Sequence, residues 1–151
     1  MIDHFINKLR YEFWANDRII DSLKKLPLED NKCNWLLSHI LAGRVVWLER
    51  ILNIKTSEAI WTEQSLSTCV NLNQRINDNY LQYFNSLSEV DLKMTIAYQN
   101  IKEDYFHNEL QEILFHVFNH STYHRGQIVS RLKELSTELP VTDYIVFARE
   151  K

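Results

Sequence analysis

The chain has 151 residues and a net charge of −3, with 45% hydrophobic and 25% charged residues, an ordinary globular balance. That acidic balance, with no long run of Lys or Arg, excludes the basic face that nucleic-acid binding requires. Apolar stretches fall far short of the roughly 18 residues of a membrane span, the opening Met1-Ile-Asp-His-Phe has no signal-peptide order, and Cys33 and Cys69 form no disulfide pattern, so the cytoplasm is expected.

Two glycines and two prolines are too few for the many turns of an all-β protein and point to long helices. The first is predicted over residues 2–25, where Ile2, Phe5, Leu9, Phe13, Ile20 and Leu23 make one stripe and Leu26-Pro27 ends it. Asn16 lies inside that stripe. It is expected to face the interior, lining a polar pocket beside a functional site or satisfying a backbone group in the core. A second helix is predicted over 31–53, with Leu36, Ile40, Gly43, Trp47 and Ile51 on one face.

A connection over 54–65 leads to a third helix near 66–87. The alternation in Met94-Thr-Ile-Ala-Tyr98, followed by Gln99-Asn100, predicts a short hairpin reaching about residue 106. A fourth helix over 108–135 turns Leu110, Ile113, Leu114, Val117, Ile128, Leu132 and Leu135 inward. Residues 140–151 read as an extended tail, with Tyr144, Ile145, Val146 and Phe147 packing back. The expected fold is all-α: one domain, 1–151, built as a four-helix bundle with a metal site between helices.

The metal site is read from the fourth helix. Three of the six histidines fall in His116-Val-Phe-Asn-His120-Ser-Thr-Tyr-His124, each four residues from the next. Side chains four apart on a helix lie one above the other, and two such imidazoles can share one ion. With Leu110 as the inward direction, His124 lies roughly 40° off centre, His120 roughly 80° and His116 roughly 120°. His116 and His124 are also about 12 Å apart along the axis. The inward pair is His120 with His124, and His116 is expected at the bundle edge.

A two-histidine clamp needs a further ligand. His39, beside the apolar face of the second helix, is the candidate, and Gly43 one turn on removes bulk there. His4 and His107 are expected at the surface. Three imidazoles with no fourth protein ligand describe an open site for one divalent ion; imidazole suits zinc, nickel, copper and iron alike, with zinc or nickel expected first and iron and manganese as alternatives. Arg125 lies on the inner half of the same helix. It either binds an anionic group of a ligand or makes an ion pair tying two helices. Gln127 is a hydrogen-bonding partner for the clamp or a polar edge residue. No catalytic residue is singled out.

Several segments together resemble the DinB family: Asn119-His-Ser-Thr-Tyr-His-Arg-Gly-Gln-Ile128, Tyr11-Glu-Phe-Trp-Ala-Asn16, Ser38-His-Ile-Leu-Ala42, Val46-Trp-Leu-Glu-Arg50, and Pro140 through Arg149. The resemblance runs over nearly the whole chain. It implies a four-helix bundle, usually dimeric, with a divalent metal on three histidines that map to His39, His120 and His124. It also implies an enzyme transferring or adding a low-molecular-weight thiol, such as bacillithiol, mycothiol or glutathione, to a small-molecule substrate. The same ligand set suits metal-dependent hydrolysis, or a non-enzymatic bundle stapled by its metal. For the homodimer there is one hint besides the resemblance. Trp14 lies about 140° from the Leu9 stripe, where it either anchors an interface or lies under a loop or the tail.

Overall fold

Helix α1 (Ile2–Lys24) buries Phe5, Leu9, Ile19, Ile20 and Leu23, the spacing of one helical face, against the rest of the chain. The computed structural model describes residues 1–55, 62–100, 102–135 and 138–150. Helix α2 (Asn31–Ile51) starts at Asp30, whose side chain accepts the Cys33 N–H at 2.9 Å. Helix α3 (Leu66–Asn85) is capped in the same way by Ser65. Helix α4 (Leu110–Leu135) packs chiefly on α2, and α1 chiefly on α3. The result is the expected all-α four-helix bundle. Of the expected 54–65 connection, residues 56–61 lie outside the described residues.

Strands β1 (Thr95–Gln99) and β2 (Tyr105–Glu109) pair antiparallel, with Ala97 opposite His107. The hairpin thus extends past the expected residue 106, and α4 begins at Leu110 rather than 108. Strand β2 passes into α4 without a loop. Glu112, in the first turn of α4, accepts the Glu109 N–H and the Asn108 amide, each at 3.1 Å, and so satisfies the helix end.

The tail differs from expectation in one respect. Tyr144–Arg149 is a short helix, α5, rather than extended chain. Tyr144 and Phe147, one turn apart, both meet the Tyr11 ring of α1, which only a helical turn allows. Trp14 joins this group. Its indole lies 5.6 Å from the Phe147 ring and donates to Glu150 at 2.8 Å. Trp14 therefore lies under the tail, and the sequence hint of an interface is absorbed within the chain. Lys151 falls outside the described residues.

The bundle centre carries an unusual amount of charge. Glu12, Asn16, Arg44, Asn73 and Arg125 are all at most 1% exposed. Arg125 grips Glu12 with both terminal nitrogens, at 2.6 and 2.8 Å, and reaches Asn16 at 3.1 Å. Asn16 also donates to Asn73 at 3.3 Å. Arg44 is different: none of its three guanidinium nitrogens has a hydrogen-bond partner among the described residues. Its guanidinium lies 5.5 Å from the Tyr80 ring, and burial drives its pKa down against the opposing pull of Glu12 and Tyr80.

Candidate metal centre

Helices α2 and α4 run antiparallel, and their facing positions form a ladder. His39 stands opposite His124 and His120, and Gly43 opposite His120. Trp47 stands opposite His116. The α4 members are four residues apart, and so are the α2 positions His39, Gly43 and Trp47, so each rung advances one turn on both helices.

His39, His120 and His124 each offer one ring nitrogen such that all three lie within 4.8 Å of one another. The Nε2 atoms of His39 and His120 are 3.1 Å apart. Two nitrogens each held about 2.0–2.1 Å from one ion are separated by roughly 2.9 Å at a right angle and 3.4 Å at a tetrahedral angle. The observed spacing falls between these limits, so this pair fits a shared divalent ion, with His124 close enough to join it. All three are half-buried, which leaves the cluster open on one side.

The surroundings favour neutral imidazoles. Burial, with lesser contributions from His124, His39 and His116, holds the His120 pKa down to about 4. Burial, then His124, lowers that of His39. At neutral pH both rings are uncharged and keep a lone pair for a metal. His124 places Nδ1 2.7 Å from Gln127 Oε1. With the carbonyl oxygen accepting, Nδ1 carries the hydrogen and Nε2 is left as the ligand atom. Gln127 is thus in place as the hydrogen-bonding partner, one turn along α4.

His39 is steadied by Trp35, whose ring is stacked on it at 5.3 Å with an interplanar angle of 6°. Sequence reasoning missed Trp35, although its position one turn before His39 on α2 was a usable signal. Tyr123, 65% exposed, lies edge-on to His124 at 5.1 Å. Gly43 is adjacent to His120: a Cβ there would lie 3.1 Å from Cε1. The room that Gly43 provides is taken by a histidine of the cluster.

The remaining candidates fall elsewhere. His116 sits at the exposed edge, its ring 5.8 Å from that of His120. His4 and His107 are exposed. Arg125 makes the ion pair of its two alternatives, joining α4 to α1 through Glu12. Asn16 is buried, and its partners are the side chains of Arg125 and Asn73 rather than a backbone group. Glu12 was not foreseen, yet it lies one turn before Asn16 on the same face, a second polar residue in an apolar stripe. Cys33 is remote in chemistry as well: burial and Asp30 push its thiol up to about 12. A cleft of about 790 Å³ between α1 and residues 138–141, lined by Trp14 and Arg18, contains no histidine.

The sequence is similar to that of known proteins. Protein DinB of Bacillus subtilis (strain 168) is 25% identical over 162 aligned positions, covering 95% of this chain and 93% of that protein. The family model described as the DinB family matches residues 1–151. The chain, a helical bundle with three histidines placed to hold a metal ion, belongs to the DinB family.

Proposed function

We propose that this protein is a metal-dependent enzyme that binds one divalent ion on His39, His120 and His124 and uses it to transfer or add a low-molecular-weight thiol. The observation that carries the reading is the cluster itself. Three half-buried imidazoles converge, and among the described residues no Cys, Asp or Glu joins them. An ion with only three protein ligands keeps a position for water or substrate, as catalytic zinc does and structural zinc does not. Zinc and nickel suit such a donor set best, with iron and manganese as alternatives.

A divalent ion held there would ionise a coordinated thiol or water near neutral pH. The chain's own residues do the rest. His39 and His120 offer lone pairs because burial keeps them unprotonated. Gln127 orients His124, and the Trp35 stack holds His39 in plane. The preference for a thiol over water rests on the family resemblance. The small-molecule partner, homodimeric state and cytoplasmic location belong to the same reading. Among the described residues no helix is long and apolar enough to cross a membrane.

The test begins with metal analysis of the purified protein, followed by cobalt substitution. Bacillithiol, glutathione and mycothiol are then added with a panel of electrophiles, beside His120→Ala. A thiol that shifts the cobalt spectrum and a turnover lost in His120→Ala are expected. Hydrolysis without any thiol effect would replace thiol transfer. An ion closed off from every added ligand would make it a structural staple. Light scattering at micromolar concentration should give twice the chain mass.

A further inference from the structure

The third rung of the ladder, one turn beyond His120, opens into a cavity of about 270 Å³ lined by Trp47, Tyr98, Asn108, Glu112, Ile113 and His116. Its walls come from three elements. Trp47 is on α2, Tyr98 and Asn108 are on the hairpin, and the others are on α4. The Trp47 ring stands edge-on to Tyr98 at 4.9 Å and to His116 at 5.1 Å. His116 in turn lies 5.8 Å from His120, so one imidazole separates this cavity from the candidate metal centre.

Three features limit what fits. The volume lies just below the roughly 300–1,000 Å³ of whole-ligand sites, which suits one ring of a larger molecule. The polar lining atoms already serve one another: Tyr98 donates to Asn108 at 2.9 Å, and Asn108 donates to Glu112 at 3.1 Å. The remaining wall is two rings, Trp47 and His116, and the aliphatic Ile113, so it adds no carboxylate, ammonium or guanidinium. An aromatic box beside a carboxylate would otherwise suit an organic cation. Here, however, the Arg50 guanidinium already lies over Trp47 at 4.7 Å and over Tyr98 at 5.5 Å. A second cation would meet that charge, and an anion would meet Glu112.

We propose that the cavity formed by Trp47, Tyr98 and His116 is a subsite for a neutral planar aromatic ring belonging to a molecule whose other end reaches the metal centre. It deepens the proposed function and rests on it for the anchoring end. The ring stacks or meets edge-on with Trp47 and Tyr98, as aromatic groups prefer. The hairpin, which carries Tyr98 and continues directly into α4, thereby becomes part of substrate selection.

The test compares acetohydroxamate and benzohydroxamate, which share a metal-binding head and differ in the ring. On cobalt-loaded protein, benzohydroxamate is expected to bind at least about tenfold tighter, the gain from burying one ring. Trp47→Leu and Tyr98→Ala should each reduce that preference to about twofold while acetohydroxamate binding stays unchanged. If acetohydroxamate binds and the ring adds nothing, the subsite is wrong and the metal reading stands. If neither perturbs the cobalt spectrum, the metal reading fails, and the cavity is read separately by titrating metal-free protein with benzamide and acetamide. A saturable shift of the Trp47 indole resonance with benzamide alone supports the subsite. No shift, or a stronger one with benzyltrimethylammonium, overturns it.

Discussion

Gly43 and His120 touch across the α2–α4 seam: a Cβ on the glycine would lie 3.1 Å from the imidazole Cε1 and 3.4 Å from Nδ1. The contact is tighter than ordinary packing and the neighbour is a ring, not a flexible chain end. Gly43→Ala should therefore turn or displace His120. Metal affinity is expected to fall about tenfold, the lower end of the effect of disturbing a ligand's support, with helix content unchanged by circular dichroism. Chelator competition measures it. Unaltered affinity would show that His120 can give way.

The ligand set predicts unequal effects along α4. His39→Ala, His120→Ala and His124→Ala should each lose stoichiometric metal. His116→Ala should retain it, because His116 lies outside the cluster. Gln127→Ala is expected to be intermediate, weakening binding by about 10–100-fold through loss of the His124 tautomer. Elemental analysis after gel filtration ranks the five variants, and a metal-free His116→Ala would refute the ranking.

Acid should destabilise the metal-free protein in a particular window. The His120 pKa is depressed from 6.5 to about 4 in the folded state, so below 6.5 the unfolded chain binds a proton that the folded one refuses. Stability is unaffected by this group above pH 6.5, falls as pH drops from there, and levels off below about 4. Urea titrations of wild type and His120→Leu at matched pH isolate it. The difference between the two should change over this window and be flat above it.

The charged centre predicts substitutions of opposite sign. Glu12→Gln leaves the buried Arg125 guanidinium without its carboxylate and should cost about 3–5 kcal/mol. Arg44→Met removes a buried cation whose nitrogens lack hydrogen-bond partners, and should stabilise the protein by about 1–3 kcal/mol. Denaturant unfolding monitored by tryptophan fluorescence gives both values. A destabilised Arg44→Met would mean that the guanidinium does structural work not visible in its contacts.

Much of this was legible in the sequence because it depends on angle alone. Helical period put His120 and His124 on the inner side, His116 at the edge and His39 beside a core face. Those placements need no knowledge of neighbours. What period cannot supply is the partner. Arg125 lay on the inner half by the same arithmetic, yet whether it met a ligand or an acid depended on Glu12, 113 positions earlier. The same period puts Trp14 off the stripe, and only the return of α5 decides that the chain itself covers it. Arg44 drew no notice, since a cation one residue after an inward Gly43 reads as flanking that face.

His124 and Arg125 are consecutive, so on α4 they point about 100° apart: one toward the cluster, the other into the centre, where Glu12 holds it. Rotating α4 enough to swing His124 away would pull Arg125 out of a pair that burial makes costly to break. The helix is thus locked in azimuth by a charge paired with Glu12, outside the histidine cluster. The consequence is kinetic. An arriving ion would find the imidazoles already aimed, with no folding step to wait for, so loading is expected to depend on its own dehydration and on access, and chelation to leave the bundle standing.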